Sequence, residues 1–210
     1  PAEQDDPDMY LRVVERREDG VVVRGAKLHN TMAPYCDELL VFPTRMLGKN
    51  EKDYAIAFAV PADTEGVYLI ARQAFSPTRE PGMEAPYTEL ADIESMTVFD
   101  NVFVPNERIF LNGETDIGGQ LALLFALFHR HSYCGCKPGI GDVMLGTTAL
   151  LADYNGVEKT GHTQEKLADV ISVVELVYAA GIAASVKSTK APSGTQVPNV
   201  IYCNVGRRHA

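Results

Sequence analysis

The hydrophobic period of this chain of 210 residues changes once, near Ile117, and that change dictates two kinds of structure in order. From residue 10 to 111, short apolar runs alternate with turn residues. Leu11–Arg16 and Val21–Lys27 read as strands joined by Glu18-Asp19-Gly20, a strong hairpin signal. Glu38–Phe42, Ala55–Val60, Val67–Arg72 and Met96–Val104 follow, each bounded by Pro, Gly, Asp or Asn. Pro43 and Pro105 mark strand exits, because proline cannot donate to a ladder. Short strands separated by turns predict an antiparallel sandwich or small barrel.

Beyond Ile117 the spacing becomes helical. A first helix is expected over 119–134, with Gly135, Pro138 and Gly139 interrupting or kinking it through 135–139. Residues 142–154 continue helically, and Asn155-Gly156 breaks the pattern. Thr163 then reads as the cap of a further helix, with Glu165 in its first turn and Leu167, Val170, Ile171, Val174, Val177 and Tyr178 on its apolar face. Lys190–Pro198 reads as a surface loop, and the stretch from Asn204 reads as the beginning of a helix. The expected fold class is therefore α+β multidomain: an antiparallel β-sandwich or barrel over 1–112, then the first part of an all-α helical bundle over 113–210.

Composition narrows the function classes. A formal charge of -9 and the lack of a basic run argue against nucleic acid as a partner. The longest apolar runs reach about ten residues, short of the ~20 that a membrane span needs, so no membrane partner is expected. No signal-peptide pattern precedes the first strand. Four cysteines without framework spacing suit a reducing compartment, with a cytoplasmic location as the expectation. The sequence reads as the middle of a longer protein.

One segment breaks its own pattern. Gln120–Phe128 reads as a buried helix, yet the face continuing from His129 carries Tyr133, Cys136 and Lys137, at offsets of four, seven and eight. Such groups on a core stripe are costly unless paired or bound to something. A histidine at a helix end is commonly a hydrogen-bonded structural residue, and a buried cysteine a small hydrophobe. On residue pattern alone both readings stand, although the surrounding glycines and Pro138 favour a site. Seven residues of straight helix rise about 10 Å, too far for two side chains to share one tetrahedral zinc. A kink or a larger inorganic cluster relaxes that limit, since iron–sulfur clusters accept thiolate and sometimes imidazole. Cys36 and Cys203 are isolated and no Cys-x-x-Cys occurs, so the chain does not visibly complete such a site.

Three motifs carry a family resemblance: Arg24-Gly-Ala-Lys-Leu-His-Asn-Thr31, Phe58-Ala-Val-Pro-Ala-Asp-Thr-Glu-Gly66 and Val98-Phe-Asp-Asn-Val-Phe-Val-Pro-Asn-Glu-Arg108. They resemble the acyl-CoA dehydrogenase superfamily, and the last two are shared with the 4-hydroxyphenylacetate 3-hydroxylases. The segment His129-Arg-His-Ser-Tyr-Cys-Gly-Cys-Lys-Pro-Gly139 is more specific, and is similar to the cluster-binding segment of the 4-hydroxybutyryl-CoA dehydratase/vinylacetyl-CoA Δ-isomerase family. The likeness runs from about Pro7 to Tyr154 and more weakly to the end.

That resemblance implies an acyl-CoA dehydrogenase-like fold, an acyl-CoA substrate, FAD, one [4Fe-4S] cluster and a homotetramer. It implies conversion of 4-hydroxybutyryl-CoA to crotonyl-CoA by a flavin-radical mechanism. His129 and Cys136 would be two cluster ligands, with the other two outside this chain. His129, Tyr133 and Glu94 would act in proton transfer, and Lys137 would lie beside the flavin. His29, Asn30 and Thr31 fall where the family contacts FAD. Two departures stand out. Cys134 occupies a position where the resemblance implies a small residue, usually Gly, and filling space is its expected role. Met32 replaces an expected Gly. These 210 residues alone are expected to be inactive. The alternatives are a flavin-dependent aromatic hydroxylase and an inactive piece that only oligomerises, for which the small residues Ala179, Ala180, Gly181, Ala183 and Ala184 are the motivation.

Overall fold

In the computed structural model, which describes residues 1–72 and 93–210, the turn at Glu18-Asp19-Gly20 closes as expected, with the Arg17 N–H donating to the Gly20 carbonyl at 2.8 Å. The strands are β1 (Arg12–Arg16), β2 (Gly20–Lys27), β3 (Glu38–Val41), β4 (Ile56–Pro61), β5 (Val67–Ala71), β6 (Ser95–Pro105) and β7 (Ile109–Asn112). They form two antiparallel sheets, ordered β1-β2-β6-β5 and β3-β4-β7. Strand β7 is an addition to the sequence reading. Its four residues follow directly on a 3-10 turn at Asn106–Arg108, too short a run to stand out by alternation.

One apolar core joins the two sheets. Val21 and Val23 of β2 and Phe99, Val102 and Val104 of β6 face Val41 of β3 and Ile56, Phe58 and Val60 of β4. Phe58 and Phe99 meet edge to face, centroids 5.7 Å apart. Fully burying each such side chain contributes about 1.5–3 kcal/mol, so the sandwich has a rigid centre on which surface segments can be hung.

The described residues form two compact units, Pro1–Ala122 and Leu123–Ala210. In the second, Asn155-Gly156 separates two long helices, α1 (Thr115–Tyr154) and α2 (Gly161–Val186). A two-stranded hairpin, β8 (Thr189–Lys190) and β9 (Gln196–Val197), follows, then α3 (Val200–His209). Four expectations are corrected here. The first helix is continuous for 40 residues with Pro138 inside it, so no interruption falls at 135–139. Pro138 has no N–H for the Cys134 carbonyl, a loss that breaks an isolated helix but that packing overrides here. Helix α2 starts at Gly161 with Thr160 at its cap position, ahead of Thr163. Lys190–Pro198 holds the β8–β9 hairpin rather than an unstructured loop. Helix α3 starts at Val200, ahead of Asn204, because Asn199 Oδ1 accepts from the N–H groups of Ile201 and Tyr202.

Burial also differs from expectation. Of the Gln120–Phe128 stretch only Leu127 is buried, while Leu123, Leu124, Phe125 and Phe128 are exposed. A helix apolar on every side needs neighbours on more than one side, and α2 and α3 cover one. Helix α2 has a window of mean hydropathy 1.8 that is 17% buried, and by length and composition it is able to cross a membrane. Counting uninterrupted apolar runs missed this, because Asp169 and Glu175 divide the run.

The tightest packing in this unit centres on Cys134, which is 2% exposed. A Cβ added to Gly181 of α2 would lie 2.7 Å from the Cys134 Cβ, and one added to Gly206 of α3 would overlap its sulfur. Cys134 therefore fills a node that both facing helices leave open with glycine. Gly206→Ala in the full-length protein is expected to lower stability by about 1–3 kcal/mol, the usual penalty of overpacking. Adding Cys134→Gly should recover most of it. Urea unfolding midpoints test this, and an unchanged midpoint for Gly206→Ala would show that the node is loose.

Candidate active site

The chemistry-bearing residues gather in two places, one in each unit. In the first, His29, Asn30, Thr31 and Met32 continue past the end of β2 and remain paired with the residues leading into β6. The Asn30 N–H donates to the Ser95 carbonyl at 2.9 Å, Ser95 N–H returns a bond at 3.2 Å, and the Met32 N–H donates to the Ile93 carbonyl at 2.8 Å. Asn30 Nδ2 donates to Thr97 Oγ1 at 2.7 Å and to the Lys27 carbonyl at 3.1 Å. The Asn30 side chain thus holds the segment in place, whereas the His29 imidazole is exposed.

This pairing brings Thr31 and Glu94 together. The Thr31 hydroxyl donates to Glu94 Oε1 at 2.7 Å. Glu94 Oε2 is buried and has no hydrogen-bond partner among the described residues. A carboxylate oxygen in that condition is costly unless a ligand, a proton or water satisfies it. An acid before a strand is ordinarily solvated; Glu94 is half-buried, with Oε2 out of contact with solvent. Lys27, within the same motif but outside the expected set of site residues, donates through Nζ to the Phe42 carbonyl at 2.7 Å. Burial pushes its ammonium down to about 8.

The second gathering lies on α1. The His129 and Tyr133 rings meet edge to face with centroids 4.8 Å apart, and Phe125 stacks on His129 at 5.7 Å. Lys137 Nζ sits 5.0 Å from the Tyr133 ring centroid. Arg207, from α3, brings its guanidinium carbon to 5.4 Å from the same centroid. The sequence reading missed Arg207, because no periodicity links positions this far apart; the structure places it in the basic last turn of α3. Cys136 is exposed and His129 is exposed, while Tyr133 and Lys137 are half-buried. The expectation that this face is a core stripe is thereby corrected: at 3.6 residues per turn it lies about 110° round the helix from Cys134, which occupies the packed side.

The two neighbouring thiols differ sharply. Burial pushes the Cys134 thiol up, and burial together with Cys134 pushes the Cys203 thiol up, which keeps both protonated and poor as ligands. Cys136 presents its sulfur to solvent on the same face as His129. Among the described residues no group of three or more His, Cys, Asp or Glu side chains converges to hold a metal ion. With α1 unbroken, the rise of about 10 Å between His129 and Cys136 also excludes their sharing a single ion. As donors, the pair suits two corners of a larger cluster and no more.

Comparison with known proteins gives this geometry a context. The fold is acyl-CoA dehydrogenase-like. It superposes on butyryl-CoA dehydrogenase from Megasphaera elsdenii with a TM-score of 0.71 at 18% identity, over 100% of this chain and 51% of that one. The N-terminal model of the 4-hydroxyphenylacetate 3-hydroxylase family matches residues 1–111 and its C-terminal model residues 119–210. The chain belongs to that family. It is 41% identical over 213 aligned residues to the 4-hydroxybutyryl-CoA dehydratase/vinylacetyl-CoA Δ-isomerase of Clostridium aminobutyricum, covering 100% of this chain and 44% of the relative. An oxygen-tolerant archaeal 4-hydroxybutyryl-CoA dehydratase from N. maritimus superposes with a TM-score of 0.89 at 36% identity, over 100% of this chain and 42% of that one. The oxygenase component of a 4-hydroxyphenylacetate 3-monooxygenase, solved with FAD and 4-hydroxyphenylacetate, superposes with a TM-score of 0.83 at 30% identity, over 97% and 43%. The chain spans less than half the length of the two dehydratases and the oxygenase, and about half that of butyryl-CoA dehydrogenase.

Met32 has φ 63 and ψ 6, the left-handed region. That backbone explains why the resemblance implies a glycine there, a reason the sequence did not reveal. A side chain in this region carries a penalty of about 1–2 kcal/mol, partly offset by glycine's greater loss of freedom on folding. Met32 is 39% exposed, so the packing its side chain retains offsets part of the gain from relieving the backbone. Met32→Gly is expected to stabilise the full-length protein by about 0.5–1 kcal/mol in urea unfolding. A loss of stability would mean that the methionine side chain packs usefully.

Proposed function

We propose that this chain is the central part of a 4-hydroxybutyryl-CoA dehydratase that also isomerises vinylacetyl-CoA, using FAD and a [4Fe-4S] cluster. The observation that carries the reading is the exposed His129 and Cys136 pair on one face of α1, set apart from the buried Cys134 thiol. Identity of 41% along the whole chain to a dehydratase/isomerase supports it, and a family member solved with FAD supports the flavin. His129 and Cys136 would hold two corners of the cluster. Cluster and flavin, when bound, supply Lewis-acid and one-electron chemistry that side chains lack.

The chain's own residues then handle protons and position. Glu94 holds one oxygen against the Thr31 hydroxyl and leaves the other free to exchange a proton with substrate. The Tyr133 phenol, adjacent to His129 on α1, serves as the second proton-transfer group, and the His129 imidazole would act as a base only when its nitrogen is off the cluster. Lys137 places a cation beside them and would lie near the flavin. His29 and Thr31 would border the flavin, and Asn30 holds that border in place. The exposed apolar faces of α1 and α2 support assembly into a homotetramer.

The family match also favours a second reading, a flavin-dependent aromatic hydroxylase, in which His129 and Cys136 contact substrate or simply shape the site. Anaerobic purification of the full-length protein separates the two. The dehydratase reading requires FAD, one [4Fe-4S] cluster per subunit and formation of crotonyl-CoA from 4-hydroxybutyryl-CoA. Flavin without iron, with a phenol hydroxylated by reduced flavin in air, would replace it by the hydroxylase.

Glu94→Gln in the dehydratase should lower turnover by about 10²-fold or more, with FAD and iron retained. Near-normal turnover would return Glu94 to a structural role.

A further inference from the structure

Three side chains converge on the Tyr133 ring of the α1 face. The His129 ring, the Lys137 ammonium and the Arg207 guanidinium all meet its ring, at 4.8, 5.0 and 5.4 Å. Lys137 is there by helix geometry, four residues on from Tyr133. Arg207 is not, since it crosses from α3. Docking of α3 does not require it either: Cys203 packs with Leu127 and Ala184, Gly206 packs against Cys134, and Arg130 Nη1 donates to Asn204 Oδ1 at 2.7 Å. No ion pair among the described residues involves Arg207 or Lys137. Two cations without carboxylate partners among the described residues therefore converge on one phenol ring.

We propose that Arg207 is a positioning residue for Tyr133, holding the ring so that the phenol oxygen stays in one place on the α1 face. The inference rests on the dehydratase reading for its consequence in turnover, though not for the contact itself. A guanidinium over an aromatic face is attracted by the ring quadrupole, and its planar shape restricts ring rotation in a way a mobile ammonium does not. Proton transfer requires the phenol oxygen within hydrogen-bond reach of the reacting atom, and displacement of about 1 Å lowers rates by about 10²-fold. Without Arg207 the ring keeps its His129 and Lys137 neighbours on its own helix but loses the contact that fixes it from outside.

The test uses the full-length protein with its cofactors. Arg207→Gln is expected to reduce kcat by about tenfold or more with KM little changed, and Arg207→Lys to recover part of the loss. In a Tyr133→Phe background, which keeps the ring but removes the hydroxyl, Arg207→Gln should have almost no further effect on kcat, because the two act as one unit. A second readout does not depend on turnover: 3-fluorotyrosine at position 133 should show a shifted or broadened ¹⁹F resonance on Arg207→Gln, with the melting temperature retained. Equal losses of kcat in both backgrounds, or no loss in either, would overturn the proposal, as would an unmoved ¹⁹F resonance. If the native protein forms no crotonyl-CoA, the dehydratase reading fails and the ¹⁹F result alone decides whether Arg207 holds the ring.

Discussion

The contact on which the helical unit depends is the close approach of α1 to α2 and α3 at Cys134. A sulfur-sized plug faces Gly181 on one side and Gly206 on the other, so the three backbones come nearer than side chains ordinarily permit. This fixes which way α1 is rotated. Leu127 and Cys134 point into the packing, and His129, Tyr133, Cys136 and Lys137 are carried to a flank where Arg207 can reach the ring of Tyr133. The same rotation decides the fate of the two cysteines: one becomes a desolvated, protonated thiol and the other an accessible donor. Two residues of separation on a helix suffice, because they lie about 200° apart around its axis.

The sandwich performs a comparable service in the first unit. Its rigid core ends at the last pairs of β2 and β6, and the segment His29–Met32 extends that pairing by main-chain bonds instead of forming a free loop. Thr31 and Glu94 are brought together by register, with a positive φ at Met32 turning the chain away. Site residues far apart in sequence thus owe their positions to backbone pairing, and a Glu94 oxygen that is buried and without a partner among the described residues is the local consequence.

How much of this was legible in the sequence follows from the range of each signal. The hairpin at Glu18-Asp19-Gly20, six of the seven sandwich strands and the change of period near Ile117 are local features, and the structure reproduces them. Gly135, Pro138 and Gly139 gave a local signal that misled, since packing around Cys134 and Pro138 overrides a helix break. The spacing of His129, Tyr133, Cys136 and Lys137 revealed a shared face, yet it could not say whether that face was buried. Arg207 approaching Tyr133, the paired glycines opposite Cys134 and the burial of one Glu94 oxygen are contacts between distant positions, which no pattern within a window carries.

The cluster, and with it the dehydratase reading, stands on the division of labour between Cys136 and Cys134. The most direct measurement is the iron content of the full-length protein, purified without oxygen, with each cysteine replaced by alanine in turn. Cys136→Ala should lose most of its iron, while Cys134→Ala keeps it and shows only reduced stability. Loss of iron from Cys134→Ala with retention in Cys136→Ala would contradict the account.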